Sequence, residues 1–210
     1  MSDILAFSDQ NGERIIGDMS TTPQNGFKKD AIKPSKLEIP YSIGSIPIKA
    51  IGQYAFYQCF DIKECIIKAK IHTLHVAAFS GCKNLMNINI PSSVQLIENS
   101  ALDGRIDSYY PPGPINIVFE SHSRLKQIDN AGFSNHNIMN VFINDIISPI
   151  CSTYIFGGVK SLQIFSTYSF KMCDYQTTLK SIMIQSCQST KQRNGIINPF
   201  ISFTQFLLTI

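Results

Sequence analysis

The stretch that decides the fold is Ile51–Pro91, with the sequence IGQYAFYQCFDIKECIIKAKIHTLHVAAFSGCKNLMNINIP. It contains one short motif twice, an Ala-Phe pair followed three residues later by cysteine, at Ala55–Cys59 and again at Ala78–Cys82. The sequence offset between the two phenylalanines is 79 − 56 = 23. The same offset superposes further aliphatic positions, namely Ile51 on Leu74, Ile62 on Leu85 and Ile67 on Ile90. This part of the chain is therefore an internal repeat.

A period of about 20 to 29 residues with regular aliphatic positions is typical of a leucine-rich-repeat solenoid, because each unit buries its apolar edge only by stacking on its neighbours. Apolar and polar residues alternate within Leu85–Ile90. This alternation predicts a short strand whose isoleucines point inward and whose asparagines point outward. Phe79 and Cys82 are three residues apart, so the return segment is predicted to be rich in turns or to form one turn of helix. The predicted fold is a β-rich solenoid with irregular later repeats.

The repeat predicts a division of the chain into three parts. Residues 1–36 carry no repeat and are expected to form an N-terminal cap or loop, with a short strand around Glu13–Ile16. Residues 37–184 form the predicted solenoid, in which a proline-rich loop is inserted at about 104–114. The pattern is blurred over residues 144–165, where the sequence does not define the register. Residues 185–210 make up the third part.

The two ends of the chain bear on its location. The N-terminus has no basic segment before its short apolar run at Ile4–Phe7, so it does not predict a secretory signal. Residues 185–210 are polar and basic as far as Arg193 and then uncharged. We expect a cap or a truncated repeat there. The alternative is a membrane anchor, for which the uncharged run is slightly short and is interrupted by polar residues; membrane association is left open.

The composition is that of a globular protein without a groove for nucleic acid. Apolar residues make up 44 % of the chain, which is enough to build a core. The net charge of +3 is small and the charged residues are scattered along the sequence. A nucleic-acid-binding protein would show clustered basic residues instead. We therefore expect no nucleic-acid partner.

The six cysteines do not indicate a disulfide scaffold in a chain of this length. Cys59, Cys82 and Cys173 each follow a phenylalanine by three residues. One recurring inward position explains all three as small buried apolar side chains, in preference to disulfide pairing.

The sequence contains no catalytic constellation. His72 and His75 are three residues apart with cysteines nearby in the sequence, but these spacings match no familiar tetrahedral zinc site. In the repeat frame, His75 takes the position of Gly52 on a turn, so we expect the histidines to be solvated. No HExxH, GxSxG, P-loop or GxGxxG motif occurs. We predict no catalytic residues, no metal, no cofactor and no enzymatic activity.

The candidate working surface is the outward side of the strand ladder. Stacking places the outward residues of successive strands in rows about 4.8 Å apart. The predicted ligand-binding residues are Glu64, Ile66, Asn87, Asn89, Asn116, Val118, Asn140, Phe142, Ser181 and Met183. Such a face, rich in asparagine and poor in charge, suits a protein or an extended peptide. The alternative is a solvated surface whose asparagines only maintain solubility.

Three segments, IGQYAFYQC, LHVAAFSGCKNLMNINIPSSVQLI and RLKQIDNAGFSNHN, resemble the BspA-like leucine-rich repeats. The unit of that family has the form L-x-x-I-x-I-P-x-S-V-x-x-I-G-x-x-A-F-x-x-C, and the resemblance extends over residues 37 to about 184. It implies a non-catalytic, surface-associated protein of the kind linked to adhesion to host matrix proteins and to cell–cell attachment.

Two functional hypotheses follow. The first is a surface antigen or adhesin at the cell surface, whose ligand is an extracellular-matrix or cell-surface protein if the chain is exported. The second is a cytoplasmic leucine-rich-repeat scaffold for protein–protein interaction, which would agree with an N-terminus that does not resemble a secretory signal.

Overall fold

A computed structural model describes residues 2–10, 12–104, 112–143, 149–152, 154–166 and 182–186. Within these ranges the chain winds into a β-solenoid, in which strands of successive turns stack side by side into two sheets around one core. In chain order the elements are a short 3₁₀ turn at Ser2–Ile4 and the strands β1 (Phe7–Gln10), β2 (Glu13–Ile16), β3 (Lys36–Ile39), β4 (Ser42–Ile43), β5 (Ile46–Ile51), β6 (Glu64–Ile67), β7 (Thr73–Leu74), β8 (Asn87–Ile90), β9 (Leu96–Ile97), β10 (Ile115–Phe119), β11 (Gln127–Ile128), β12 (Ile138–Ile143), β13 (Ile150–Cys151), β14 (Ser161–Ser166) and β15 (Ile182–Ser186). The predicted solenoid is confirmed.

The main sheet is parallel and has the order β15-β14-β12-β10-β8-β6-β3. The inward side chains of its central strands are aliphatic or aromatic, and they are buried, as Ile88 and Ile90 of β8 show. The outward asparagines of the same strand are half-buried. The alternation predicted for Leu85–Ile90 is therefore the observed one.

A second sheet, with the order β1-β2-β5-β7-β9-β11-β13, closes the other side of the core. From β7 onward each of its strands is only two residues long, and the strands pair in parallel. The inward residues of this sheet are the second aliphatic positions of each repeat, such as Leu74 and Ile97. The sequence predicted a return segment here without a second ladder.

The repeat phenylalanines stack into an aromatic spine inside the solenoid. Phe56 and Phe79 lie with ring centroids 5.0 Å apart and nearly parallel, and Phe27 contacts Phe56 edge-on at 5.1 Å. All three are buried. The return segments are turns closed by bonds between residues three apart, such as Cys59 N to Phe56 O and Cys82 N to Phe79 O. The turn-rich form of the return is thus the observed one in these units.

The cysteine position of the repeat is both buried and hydrogen-bonded. Cys59, Cys65 and Cys82 are free thiols inside the core, and burial raises the pKa of Cys59 to about 12. The Cys82 thiol donates to the Phe56 carbonyl at 2.9 Å, which ties one unit to the next. Cys151 is disulfide-bonded, which the sequence did not predict. Cys173 lies outside the described residues.

The N-terminal segment packs against the first repeat. The predicted strand Glu13–Ile16 is β2, and it pairs in parallel with β5 of the second sheet. Gly26 N donates to Ala55 O at 2.9 Å, beside the edge-on contact of Phe27 with the spine. A Cβ at Gly26 would meet the Ala55 carbonyl oxygen at 2.8 Å, so only glycine fits this close approach.

The later part of the chain is described in pieces. Strand β14 defines the register of residues 161–165, the last part of the stretch that the sequence left open, because it pairs in parallel with β12. Most of the proline-rich loop, residues 105–111, lies outside the described residues, as does the tail from residue 187 onward. In the part of the chain that the structure describes, no helix is long and apolar enough to cross a membrane.

Candidate protein-binding face

Strand register arranges the outward positions of the main sheet in two rows. The first, called the amide row, consists of Lys36, Glu64, Asn87, Asn116, Asn140, Gln163 and, next in register, Met183. The second, called the aromatic row, consists of Glu38, Ile66, Asn89, Val118, Phe142, Phe165 and, next in register, Gln185. From β3 to β14 the face changes from charged to amide and then to aromatic.

Most of the predicted face residues lie on these two rows. Those on strands β6 to β12 do so, and all of them are half-buried: Glu64, Ile66, Asn87, Asn89, Asn116, Val118, Asn140 and Phe142. Met183 pairs with Gln163 and so takes a position on the amide row. The next alternate residue of β15, Gln185, pairs with Phe165 of the aromatic row. The sequence had instead predicted Ser181 and Met183 as the two face residues of this strand. Ser181 lies outside the described residues.

The asparagines of the amide row bond to one another. The Asn116 Nδ2 group donates to Asn87 Oδ1 at 2.8 Å, and the Asn140 Nδ2 group donates to Asn116 Oδ1 at 2.8 Å. The Asn140 Oδ1 atom is buried and has no partner within the described ranges, and Gln163 stands next to it in register. Side-chain amides stacked in register satisfy each other in this way, so these residues stabilise the sheet as well as lining it.

Asn89 has a structural role at the carboxyl end of β6. Its amide accepts from Ile67 N at 2.7 Å and donates to Ile67 O at 2.9 Å, so it replaces the missing strand pairing there. The same amide donates to Glu120 at 3.0 Å, and Glu120 also accepts from Ser92 N at 3.0 Å. The side-chain amide of Asn89 therefore makes its hydrogen bonds within the chain.

The β3 end of the face is charged and paired within itself. Lys36 lies 3.3 Å from Glu64, and Lys68 lies 2.8 Å from Glu38. The hydrogen bond from Lys68 lowers the pKa of the Glu38 carboxyl. Exposed ion pairs of this kind contribute little to the free energy of unfolding. They do, however, pair the charged groups that could otherwise bind a ligand.

The β14 end of the face is aromatic. The Phe142 and Phe165 rings are stacked with centroids 4.7 Å apart and an interplanar angle of 8°, and both are half-buried on the outward side. Val118 precedes them on the aromatic row, and Ile138, two residues before Asn140, is 43 % exposed. Gln163 lies between these groups on the amide row. Phe165 and Gln163 were not among the predicted face residues.

A family model described as BspA type leucine rich repeat region (6 copies) matches residues 49–108 of the chain. The repeats within residues 49–108 match the BspA-type leucine-rich repeat. A leucine-rich repeat protein from Bacteroides ovatus has a similar structure, with 19 % identity and a TM-score of 0.50, over 78 % of this chain and 48 % of its own. The chain thus spans about half the length of that protein. A T. pallidum leucine-rich repeat protein is 14 % identical, with a TM-score of 0.45 over 80 % of this chain and 83 % of its own. No curated protein matches the chain in sequence.

BspA-type leucine-rich repeats support a protein-binding repeat module, because leucine-rich repeats generally mediate protein–protein interaction. Leucine-rich-repeat proteins are in general non-enzymatic scaffolds. Within the described residues, no group of three or more histidine, cysteine or acidic side chains is placed to hold a metal ion.

His75 is less exposed than its position on a turn predicted. Its side chain is only 19 % exposed, and its Nδ1 atom lies 3.1 Å from the Glu98 carboxylate on the next unit. Glu98 also accepts from Val76 N at 3.0 Å. The hydrogen bond with His75 lowers the pKa of Glu98. The His75–Glu98 pair joins two units of the second sheet. The position of His75 on a turn did not predict this contact.

The hydrogen bonds within the amide row lead to a prediction for the stability of the sheet. Asn116→Ala removes the central amide, which leaves the Asn87 oxygen and the Asn140 NH₂ group without their partner. We expect the free energy of unfolding to fall by about 1 to 3 kcal/mol, as measured by urea denaturation. Asn99→Ala is the control, because Asn99 is exposed and uses its backbone carbonyl to accept from Ala77 N. Equal losses for the two variants would contradict a ladder.

Proposed function

We propose that this chain is the protein-binding part of a surface antigen or adhesin, and that its ligand docks on the aromatic end of the main sheet. The aromatic end is defined here as the outward residues Val118, Ile138, Phe142, Gln163 and Phe165. The observation that carries the proposal is the stacked, half-buried pair Phe142–Phe165 on the outward side of the sheet. Aromatic side chains are enriched at binding hot spots because they bury a large area with few rotatable bonds.

Elimination along the face supports the choice of this end. At the β3 end, Lys36, Glu38 and Glu64 are paired within the chain. In the middle, the amides of Asn87 and Asn116 bond to other asparagines. A ligand at either place would have to break existing bonds, whereas at the aromatic end it would add apolar contact to side chains that are half-buried, beside Ile138, which is 43 % exposed.

The arrangement favours an extended or loop segment of a protein as the ligand. Phe142, Phe165 and Ile138 offer apolar contact, and Gln163 both donates and accepts hydrogen bonds beside them. No charged residue occupies the two rows between Val118 and Phe165. We therefore expect an uncharged segment with an apolar or aromatic anchor, which is the ligand that an interface core of this type accepts.

The test is binding of the full chain to immobilised fibronectin, laminin and fibrinogen, three extracellular-matrix or plasma proteins. Replacing Phe142 and Phe165 together by serine is expected to weaken binding at least tenfold, because loss of a hot-spot residue costs about 2 kcal/mol or more. The matched control replaces Ile32 and Tyr41 by serine, since these side chains are 89 % and 64 % exposed elsewhere on the surface. Urea denaturation of each variant shows that it is folded.

Three outcomes would contradict the proposal. The first is binding that survives the double phenylalanine change, and the second is equal loss in the control. The third concerns location: the chain is expected to be digested when intact cells are treated with protease. Full protection until the cells are lysed would favour the intracellular scaffold and exclude an adhesin.

A further inference from the structure

A basic edge forms where the main-sheet strands turn into the second sheet. It consists of Lys49, Lys70, Arg124 and Lys126, which are up to 126 − 49 = 77 positions apart in the sequence. Three backbone hydrogen bonds connect this edge from unit to unit: His72 N to Lys49 O at 2.7 Å, Gln95 N to His72 O at 2.8 Å and Lys126 N to Gln95 O at 2.9 Å. Lys49 and Lys126 therefore lie three strand spacings apart, about 14 Å at about 4.8 Å per spacing.

Lys70 and Arg124 lie beside this row, two residues earlier in their units. Lys70 precedes His72 by two residues and Arg124 precedes Lys126 by two residues, so both stand in the same place of their units. Arg124 N bonds to Ser92 O at 2.9 Å, which fixes that segment beside the preceding unit. Lys70, Arg124 and Lys126 are exposed, and Lys49 is half-buried.

The four cations of the basic edge have no ion-pair partner in the described part of the chain. The neighbouring carboxylates have partners of their own. Glu120 accepts from Asn89 and Ser92, Glu98 from Val76 with His75 beside it, and Asp129 from Gln127. None of these carboxylates forms an ion pair with a cation of the basic edge, so the four cations are able to meet an external anion.

We infer that the basic edge binds a linear sulfated polysaccharide. The four cations come from three of the four units, since the third unit has Ser93 and Gln95 at these places. A flexible chain of fixed anions can follow such cations over about 14 Å. The units that form it, residues 47–50, 70–73, 93–96 and 124–127, contain no Phe, Tyr or Trp on which a nucleic-acid base could stack. Glu98 and Asp129 follow within three residues on the same turns. A narrow anionic chain can contact the cations without covering these carboxylates, whereas a broad anionic surface such as a membrane would cover both.

The basic edge is separate from the aromatic end, so this inference goes beyond the proposed function and can fail without it. The experiment measures binding of the full chain to heparin by titration at several salt concentrations. The edge variant carries Lys70→Glu, Arg124→Glu and Lys126→Glu. The control variant carries Lys29→Glu, Lys63→Glu and Lys160→Glu, three exposed lysines outside the edge, so that both variants change the net charge equally.

We expect the edge variant to bind heparin about tenfold or more weakly, because the focused positive potential is removed. The control variant is expected to stay close to the unmodified chain, and N- and O-desulfated heparin to bind weakly. Equal losses in the two variants, or undiminished binding of the desulfated polymer, would overturn the inference. Tighter binding of single-stranded DNA of matched length would assign the edge to nucleic acid instead, and no binding of heparin in physiological salt would also refute it.

Discussion

Phe79→Ala is expected to lower the free energy of unfolding by about 3 to 5 kcal/mol, the range for emptying a buried aromatic site. Phe79 is 2 % exposed, and its ring stacks on Phe56 with the centroids 5.0 Å apart. Phe79 is the last ring of the aromatic spine, between Phe56 and the next unit, so neighbouring units cannot fill the cavity without shifting along the stack. Urea denaturation followed by circular dichroism measures the change.

The matched control for this change is Phe60→Ala. Phe60 is 36 % exposed, and its ring lies 4.5 Å from the Lys83 ammonium. Its removal is expected to cost less than about 1 kcal/mol, the scale of an exposed cation–π contact. If the two changes had equal effects, the repeat phenylalanines would not be the core of the solenoid and the repeat register would be wrong.

The regular repeats could be predicted from the sequence because their period and alternation follow directly from how a solenoid buries its units. Phe56 and Phe79 are separated by one full period, and each occupies the same place in its unit. The inward isoleucines of β8 alternate with asparagines, so a strand pattern was visible within a single short strand. Identical residues at a fixed offset reveal stacking more strongly than any single propensity does.

The second sheet and the contact of Phe27 with the aromatic spine could not be predicted in the same way. Strands as short as Thr73–Leu74 contain no alternation, so they are indistinguishable from a turn in sequence. The cap phenylalanine, Phe27, lies 56 − 27 = 29 positions before Phe56, which is not the repeat period, and it lacks the surrounding motif. It nevertheless contacts the spine edge-on. Packing rather than sequence similarity places it there.

Part of the missed face did have a signal in the sequence. Gln163 follows Asn140 at an offset of 163 − 140 = 23, and Phe165 follows Phe142 at an offset of 165 − 142 = 23. These offsets equal the period and would have added both residues to the face. The hydrogen bonds within the amide row depend on how the asparagine amide groups are oriented. The sequence predicted only that these side chains face outward.

His136 takes the cysteine position of its unit and makes the equivalent hydrogen bond. Its Nε2 atom lies 2.7 Å from the Leu102 carbonyl, as the Cys82 thiol lies 2.9 Å from the Phe56 carbonyl. With Nε2–H donating, the neutral ring leaves Nδ1 unprotonated, and Nδ1 is buried without a partner in the described part of the chain. Burial lowers the pKa of His136 from its ordinary value of 6.5, although the Leu102 carbonyl and the Asp103 carboxylate partly oppose this.

The sign of the resulting pH dependence follows from this lowered pKa. Above pH 6.5 the ring is neutral in both the folded and the unfolded chain, and its contribution to stability is complete. Below 6.5 the unfolded chain takes up a proton that the folded chain does not. The free energy of unfolding is therefore expected to fall by about 1.4 kcal/mol per pH unit until the lowered pKa of the folded state is reached.

His136→Cys is the variant that isolates this effect, because it restores the residue found at Cys59 and Cys82 and keeps a donor for the Leu102 carbonyl. The smaller side chain is expected to lower stability at pH 8 by leaving a cavity. Urea denaturation at pH 8, 6.5, 5.5 and 5 should show the difference between the two proteins shrinking as the pH falls, because the unmodified chain alone loses the contribution of His136. The acidic residues and His75 are present in both proteins, so their titration cancels in the difference. A difference that stays constant with pH would mean that His136 accepts a proton in the folded chain as readily as in the unfolded one, which its burial beside Leu102 and Gly104 does not allow.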